Sequence, residues 1–340
     1  MKCLSIETSC DETSVAIVEN GTKILANVIS SQIDIHKIYG GVVPEIASRN
    51  HITNISYVVD EALKTANLEF SDIDYIGVTC GPGLVGALLV GVAYAKSLAY
   101  ALNIPLVPVH HIKGHIAANY ITHEDLKPPF MALVVSGGHS HLILVKSYTE
   151  YEIVGKTRDD AIGEAFDKVA RTVGLPYPGG PQVSNMAMNG SPTYTLPKTK
   201  FDNFDFSFSG IKTAVINLVN KEKENINIPN LCASFEENVT DTLVDNTINA
   251  MKYYNQDKVV LAGGVAANRV LRKKLELSAK SNGFNAYIPE LIYCTDNAAM
   301  IACAAHFEYI SGKAFDIEDI LNLNAYPNLQ VTDNIKIDKV

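Results

Sequence analysis

One plan, three short strands followed later by a strand, a glycine turn and a helix, occurs twice in this chain, and a repeated plan constrains the fold more tightly than any single motif. Residues 2–8 (KCLSIET), 14–19 (SVAIVE) and 22–29 read as strands, with Asn20-Gly21 as a tight hairpin signal. A helical period over 44–68 is followed by a strand at 75–79, the turn Gly81-Pro82-Gly83 and a mostly apolar helix over 85–102. The second half repeats this with strands at 131–136, 141–147 and 151–156. A strand at 258–262 then ends in Gly263-Gly264 and leads into a helix beginning near Asn268. The repeat is one of topology, without matching residues. It predicts an α/β protein of two duplicated lobes, each a mixed sheet with helices, and a cleft between them lined by the glycine turns. The expected boundaries are 1–125 for the N-terminal lobe, with the helical region 300–326 packing back onto it. The C-terminal lobe is expected over 126–300, and a polar tail over 327–340. Residues 174–209, rich in Pro, Gly, Asn and Ser, read as long loops of the second lobe.

With 340 residues, 47% of them hydrophobic and 19% charged, the chain has enough apolar surface for two cores. Its 28 Lys+Arg against 37 Asp+Glu give a net charge of −9. That balance excludes a protein that coats nucleic acid or anionic membrane by bulk charge, and leaves room for a local basic patch or basic partners. The six cysteines are scattered without a C-x-x-C pair, as expected in a reducing cytosol. The opening MKCLSIETS lacks the h-region of a signal peptide and the arginines of a transit peptide, so a cytoplasmic location without a membrane is expected. Residues 75–95 carry no charge, but Gly81-Pro82-Gly83 breaks them into a buried strand, a turn and a helix.

Three glycine turns follow strands: Ser136-Gly137-Gly138, Gly81-Pro82-Gly83 and Gly263-Gly264. Such turns free backbone N–H groups to face an anion, and each one alone serves equally as a strand terminator. Neither a P-loop nor a G-x-G-x-x-G is present. Three in one expected cleft favour a nucleotide or an acyl-phosphate. His111 and His115 stand at i and i+4, the spacing that brings two imidazoles to one metal and that surface histidines also show by chance. Ile112 stands where a zinc protease needs Glu. Asp296, just before the helix AAMIACAAHF, is either a third ligand or an ordinary N-cap. Two histidines and a carboxylate leave positions open for substrate oxygens, as iron or zinc require at a working site. Asp11 and Glu12 lie in the first turn, either facing the ligand or solvated.

Several longer blocks resemble the bacterial tRNA threonylcarbamoyladenosine transferase (TsaD) family: ETSCDETSVAIV (7–18), SSQIDIHKIYGGVVPEIASRNH (30–51), GPGLVGALLVG (81–91), HHIKGHIAAN (110–119), VSGGHSHL (135–142), AFDKVAR (165–171), YPGGP (177–181), FSFSGIKTA (206–214), GGVAANRVLR (263–272) and YCTDNAAMIA (293–302). The resemblance spans about residues 2–325. It implies the actin-like, sugar-kinase-like ATPase fold, with two duplicated ribonuclease-H-like lobes and an interlobe cleft. It also implies transfer of threonylcarbamoyl from threonylcarbamoyl-AMP to the N6 amine of the adenosine 3′-adjacent to the anticodon, in tRNAs reading codons that begin with A. By the family's motifs His111, His115 and Asp296 hold one divalent metal per subunit, Fe2+ or Zn2+. Val134, Val135, Ser136, Gly137, Gly138, Asp167, Gly180 and Asn268 bind the adenylate, in a cleft that also suits ATP or ADP. The partners implied are tRNA, a TsaB-like inactive relative and a TsaE-like ATPase. The apolar first helices of lobe one are candidates for the pairing face, and read equally as plain core. After YPGGP the family commonly has an acidic residue, whereas this chain has Gln182-Val183-Ser184, which leaves the role of Ser184 open. Asp11 is the candidate to orient the amine or take its proton. The competing readings are a small-molecule kinase or ATPase, a metalloprotease, and an idle partner; the histidine pair, Ile112 and the intact motifs count against them in turn.

Overall fold

The computed structural model describes residues 1–333 and 335, so residues 334 and 336–340 of the expected tail lie outside the described residues. The chain divides into two compact units, one made of residues 1–126, 147–151 and the chain from Glu290 on, the other of 127–146 and 152–289.

In the first unit β1 (Lys2–Glu7), β2 (Glu12–Glu19) and β3 (Lys23–Ser31) form an antiparallel meander, with Lys2 opposite Glu19 and Glu12 opposite Ser31. Asn20 and Gly21 have φ of 53° and 82°, the left-handed pair that suits a tight hairpin. On the other side of β1, β4 (Tyr75–Gly81) and β5 (Leu106–His110) add in parallel, giving the order β3-β2-β1-β4-β5. Parallel strands need crossovers. These are α1 (Ile33–Lys37) with α2 (Pro44–Ala66), and α3 (Val85–Leu102). Period-two alternation sorts β4 by face: Ile76, Val78 and Cys80 join a core with Val58, Val59, Val92 and Ala95 from α2 and α3. The charge-free run thus resolves into this buried strand, the turn and α3. Helix α4 (His111–Thr122) begins where β5 ends.

The second unit repeats the arrangement. β6 (Phe130–Val135) pairs antiparallel with β7 (Ser140–Val145), and β8 (Tyr151–Lys156) lies beyond it. β9 (Lys258–Ala262) and β10 (Asn285–Tyr287) continue in parallel on the far side of β6, so the order β8-β7-β6-β9-β10 matches the first sheet strand for strand. Its helices are α5 (Ile162–Thr172), α6 (Gly179–Ala187), α7 (Ser209–Glu222), α8 (Ile228–Tyr253) and α9 (Arg269–Ser281). The chain then returns to the first unit with α10 (Ala298–Ile310) and α11 (Ile317–Ile320). On the other face of β4, a Cβ on Gly77 would lie 2.9 Å from Ala305 of α10, and Tyr75 stacks on Tyr309 at 4.3 Å.

Two expectations change. The stretch 174–209 is not all loop, because GGPQVSNMA forms α6, while 188–205 holds no helix or strand. Gly179 is there for close packing, since a Cβ on it would sit 2.7 Å from Asp167 Cα of α5. The strand-like run AYIPELIYC shrinks to β10 and a short 3-10 turn at Leu291–Tyr293.

Candidate metal centre and nucleotide turns

His111 opens α4 and His115 follows one turn later, their ring centroids 4.6 Å apart and nearly perpendicular. Asp296 is not the N-cap of α10. That role belongs to Asn297, whose Oδ1 accepts from Met300 N at 3.0 Å. Asp296 Oδ1 lies 3.1 Å from His115 Nε2 and 3.5 Å from His111 Nε2, and one ligand atom from each of the three falls within 4.8 Å of the others. Close packing of α4 on α10 brings them together: a Cβ on Gly114 would stand 2.6 Å from Ile301 Cδ1.

Glu7, at the end of β1, supports the pair from behind and was not singled out from the sequence. Its carboxylate is fully buried, accepting from Thr79 Oγ1 at 2.6 Å and Ser9 N at 2.5 Å, and its Oε2 lies 3.1 Å from His111 Nδ1. A carboxylate only accepts, so His111 Nδ1 carries the proton and Nε2 faces Asp296. The signal available was an acidic residue closing an otherwise apolar buried strand. Burial pushes His111 down, but the charges of Asp296 and Glu7 outweigh it and hold the imidazole up at about 9. Burial raises Glu7, and the neighbouring His111 more than offsets this, keeping the carboxyl below its usual range. The residues fit a divalent transition metal on two grounds. Both ring nitrogens of His115 are buried and form no hydrogen bond among the described residues, and the donor set of two imidazoles and one carboxylate suits zinc or iron.

Asp11 is buried in the β1–β2 turn of the same unit. That turn is pinned by Thr8 Oγ1 to Ala87 O at 2.9 Å, Leu84 N to Ser9 O at 2.8 Å and Gln32 N to Asp11 O at 3.0 Å. His51 of α2, also missed from sequence, lies 2.8 Å from Cys10 O through Nε2 and 2.8 Å from Thr13 Oγ1 through Nδ1. The Glu12 carboxyl is pushed up to about 10 by burial and by the charges of Asp296 and Asp11, which sets these acids around one negative corner. The turn Gly81-Pro82-Gly83 does not cradle an anion. A Cβ on Gly81 would lie 2.0 Å from Tyr326 O and one on Gly83 2.6 Å from Ser9 O, so its glycines serve close backbone packing.

The other two glycine turns lie in the second unit and are open at Gly137, Gly138 and Gly264, whereas Gly263 packs on backbone. Apart from chain neighbours and a helix's own backbone, no heavy atom of the described residues stands within 4 Å of where a Cβ would be on Gly137, Gly138, Gly180 or Gly264. Val134 and Val135 point into the core, so only their backbones are available to a ligand. Ser136 Oγ accepts from His139 N at 3.1 Å, and Gly163 at the start of α5 lets that helix abut the turn, its would-be Cβ 2.8 Å from Gly137 Cα. Asp167 of α5 accepts from Gly179 N at 2.7 Å and from the Gly180 amide, and its pKa is raised by burial, which outweighs those bonds. Asn268, the N-cap of α9, reaches Ser184 Oγ at 2.9 Å. Gly263 closes the circuit against Val135 O. The residues expected to bind an adenylate are therefore linked in one ring of contacts, while His111, His115, Asp296 and Asp11 belong to the other unit.

Two mixed five-stranded sheets with the same strand order define a member of the actin-like, sugar-kinase-like ATPase fold. Solved structures agree on the fold: full-length HypF in its phosphate- and nucleotide-bound form (TM-score 0.62, 15% identity) covers 91% of this chain, which spans 46% of HypF. The (R)-2-hydroxyglutaryl-CoA dehydratase component A of Acidaminococcus fermentans (TM-score 0.54, 14% identity) covers 92% of this chain and 98% of its own. The profile of the family TsaD: tRNA N6-adenosine threonylcarbamoyltransferase matches residues 23–303. Proteins of that name from Clostridium novyi and Clostridioides difficile are 56% and 54% identical over 97% and 96% of this chain, and over 98% of each relative. The chain belongs to the TsaD family of tRNA N6-adenosine threonylcarbamoyltransferases.

Proposed function

We propose that this chain transfers the threonylcarbamoyl group of threonylcarbamoyl-AMP to the N6 amine of the adenosine 3′-adjacent to the anticodon, in tRNAs reading codons that begin with A. The observation that carries the proposal is identity of 54–56% over nearly the whole chain with proteins of that name. In the reaction the amine nitrogen bonds to the carbamoyl carbon, the bond from that carbon to the phosphate oxygen breaks, AMP departs and the amine gives up a proton. AMP is already a good leaving group, so the protein chiefly positions the amine and stabilises charge. The Gly137 and Gly138 amides suit the phosphate, the Ser136 amide being taken by His139 O at 2.8 Å, and Asp167 fixes the Gly179–Gly180 backbone. Asp11, held on a pinned turn, orients the amine or accepts its proton. His111, His115 and Asp296 would hold one Fe2+ or Zn2+, which supplies Lewis-acid polarisation of substrate oxygens when bound.

The acidic net charge leaves part of the tRNA surface to partners, tRNA being gripped through its phosphates. We assign those roles to a TsaB-like relative and a TsaE-like ATPase in the cytoplasm, and the pairing face to α2 and α3, where Ile52, Tyr57, Leu89 and Tyr100 are exposed. The reading as a small-molecule kinase or ATPase, which the same open turns would serve, is not favoured by the relatives. The test is mass spectrometry of nucleosides from unmodified tRNA incubated with this protein, both partners, a threonylcarbamoyl-AMP synthase, threonine, bicarbonate and ATP, beside a His111→Ala control. Threonylcarbamoyladenosine with the unaltered protein only supports both transfer and the metal centre. Its absence from both, with the adenylate confirmed present, overturns the transferase reading.

A further inference from the structure

Glu236 on α8 is 4% exposed, and no cation holds its carboxylate among the bonds formed by the described residues. Its Oε1 accepts from Ser184 Oγ at 2.5 Å and from Asn268 Nδ2 at 2.8 Å, and the same Asn268 amide donates to Ser184 Oγ at 2.9 Å. Asn268 Oδ1 is taken by Leu271 N at 2.9 Å, which fixes the orientation of its amide. Counting hydrogens settles what this triangle offers. Ser184 has one hydroxyl hydrogen, given to Glu236. Asn268 Nδ2 is aimed at both Ser184 Oγ and Glu236 Oε1. The Ser184 hydroxyl hydrogen is thus spent inside the cluster, and what remains on Ser184 is an acceptor lone pair, backed by the buried Glu236 carboxylate.

Ser184 and Asn268 are only partly buried, and each lies beside an open glycine. Gly180 is one turn before Ser184 on α6, hence on the same face, and Gly264 lies in the turn that leads to Asn268. A site of this kind accepts hydrogen bonds from a ligand's hydroxyl groups and repels its phosphate. Resting on the adenylate reading above, we propose that Glu236 is a positioning residue. It fixes Ser184, with Asn268 behind it, as an acceptor that selects the ribose hydroxyls of the nucleotide, delivering from α8 the carboxylate that position 184 itself lacks.

The sequence offered little warning, since Glu236 sits among the apolar positions Cys232, Phe235 and Val239 of a helix without an obvious motif. The test is calorimetric titration of the full-length protein with AMP and with 2′,3′-dideoxy-AMP, in the unaltered chain, Glu236→Gln and Ser184→Ala. The unaltered chain is expected to prefer AMP by roughly ten- to a hundredfold, because a site built to take hydroxyl hydrogens is left unpaired without them. Glu236→Gln brings an amide that donates into the triangle, and the preference is expected to fall to within about threefold while dideoxy-AMP binding is kept. Ser184→Ala is expected to lose the preference likewise. Equal binding of the two nucleotides by the unaltered chain, or an undiminished preference in Glu236→Gln, overturns the role of Glu236 and leaves the adenylate site standing. Binding of neither nucleotide by the unaltered chain overturns the adenylate reading, and the proposal with it.

Discussion

Replacing Glu7 with Gln keeps its shape but puts an amide where a carboxylate receives hydrogens from Thr79, Ser9 and His111. Carboxylates behind a metal-binding imidazole set its tautomer and basicity, and their loss typically weakens metal binding ten- to a hundredfold. Glu7→Gln is therefore expected to lower zinc affinity by about that factor in chelator competition, with circular dichroism unchanged; undiminished affinity would reduce Glu7 to a packing role. Asp11→Asn keeps the pinned turn and removes the proton acceptor, so turnover is expected to fall roughly a hundredfold or more with tRNA and adenylate supplied. Near-normal turnover would free Asp11 of that role. Individual residues were legible where spacing carries chemistry. His111 and His115 were visible because i, i+4 is a helical-face relation, and Asp296 because it precedes a helix. Glu7, His51 and Glu236 were hidden because their partners lie far away in sequence, and a lone polar residue in an apolar run reads the same whether or not it is satisfied.

The packing of α4 on α10 joins secondary structure to the candidate metal centre, and Gly114 lies in that contact. Alanine is the better helix former by about 1 kcal/mol, yet here its Cβ meets Ile301 Cδ1 in a closed core. Gly114→Ala is expected to lower the thermal midpoint and zinc affinity in the unaltered background. In an Ile301→Val background, which lacks that Cδ1, it is expected to raise the midpoint instead. The same sign in both backgrounds would place the cost elsewhere. On β7, burial and the charge of Lys156 push His141 down to about 4, and its Nδ1 has no hydrogen-bond partner among the described residues. The unfolded chain then binds the extra proton between the ordinary histidine value near 6.5 and about 4. Stability is therefore lost as pH falls through that window, by up to about 1.4 kcal/mol per pH unit, with no further loss from this group below it. Comparing urea midpoints of the unaltered chain and His141→Gln from pH 7 to pH 4 should show the smaller decline in the variant; parallel curves would refute the assignment. At this scale α2 and α3 were readable because apolar periodicity and flanking turns agree, whereas α6 was taken for loop because glycines used for packing look like glycines used for turning.

The two units share a strand order and differ in the glycine turns that leave the equivalent strands β4 and β9. In the first, both glycines of the turn are packed on the chain's own backbone and the candidate metal ligands lie in the same unit; in the second, Gly263 packs on Val135 O while Gly264 stays open before Asn268. The candidate metal ligands and the residues proposed to bind the nucleotide thus lie in different units. Replacing both His111 and His115 by Ala is expected to abolish zinc binding while leaving AMP affinity within about threefold. A parallel loss of AMP binding in a folded double variant would contradict that division. The duplicated topology was legible because strand and helix periods announce themselves in order along the chain. The fate of each glycine turn was not, because sequence does not show which distant backbone fills it.

The first unit is also assembled from both ends of the described chain, with β1 to α4 before the second unit and Asp296 with α10 after it. A ribosome therefore delivers the two histidines early and their carboxylate only once residues 127–289 have emerged. A nascent chain stopped short of Asp296 presents two imidazoles and no third ligand. Capture by all three side chains of the ion proposed for them would then be a late event of synthesis, one that an incomplete chain does not reach.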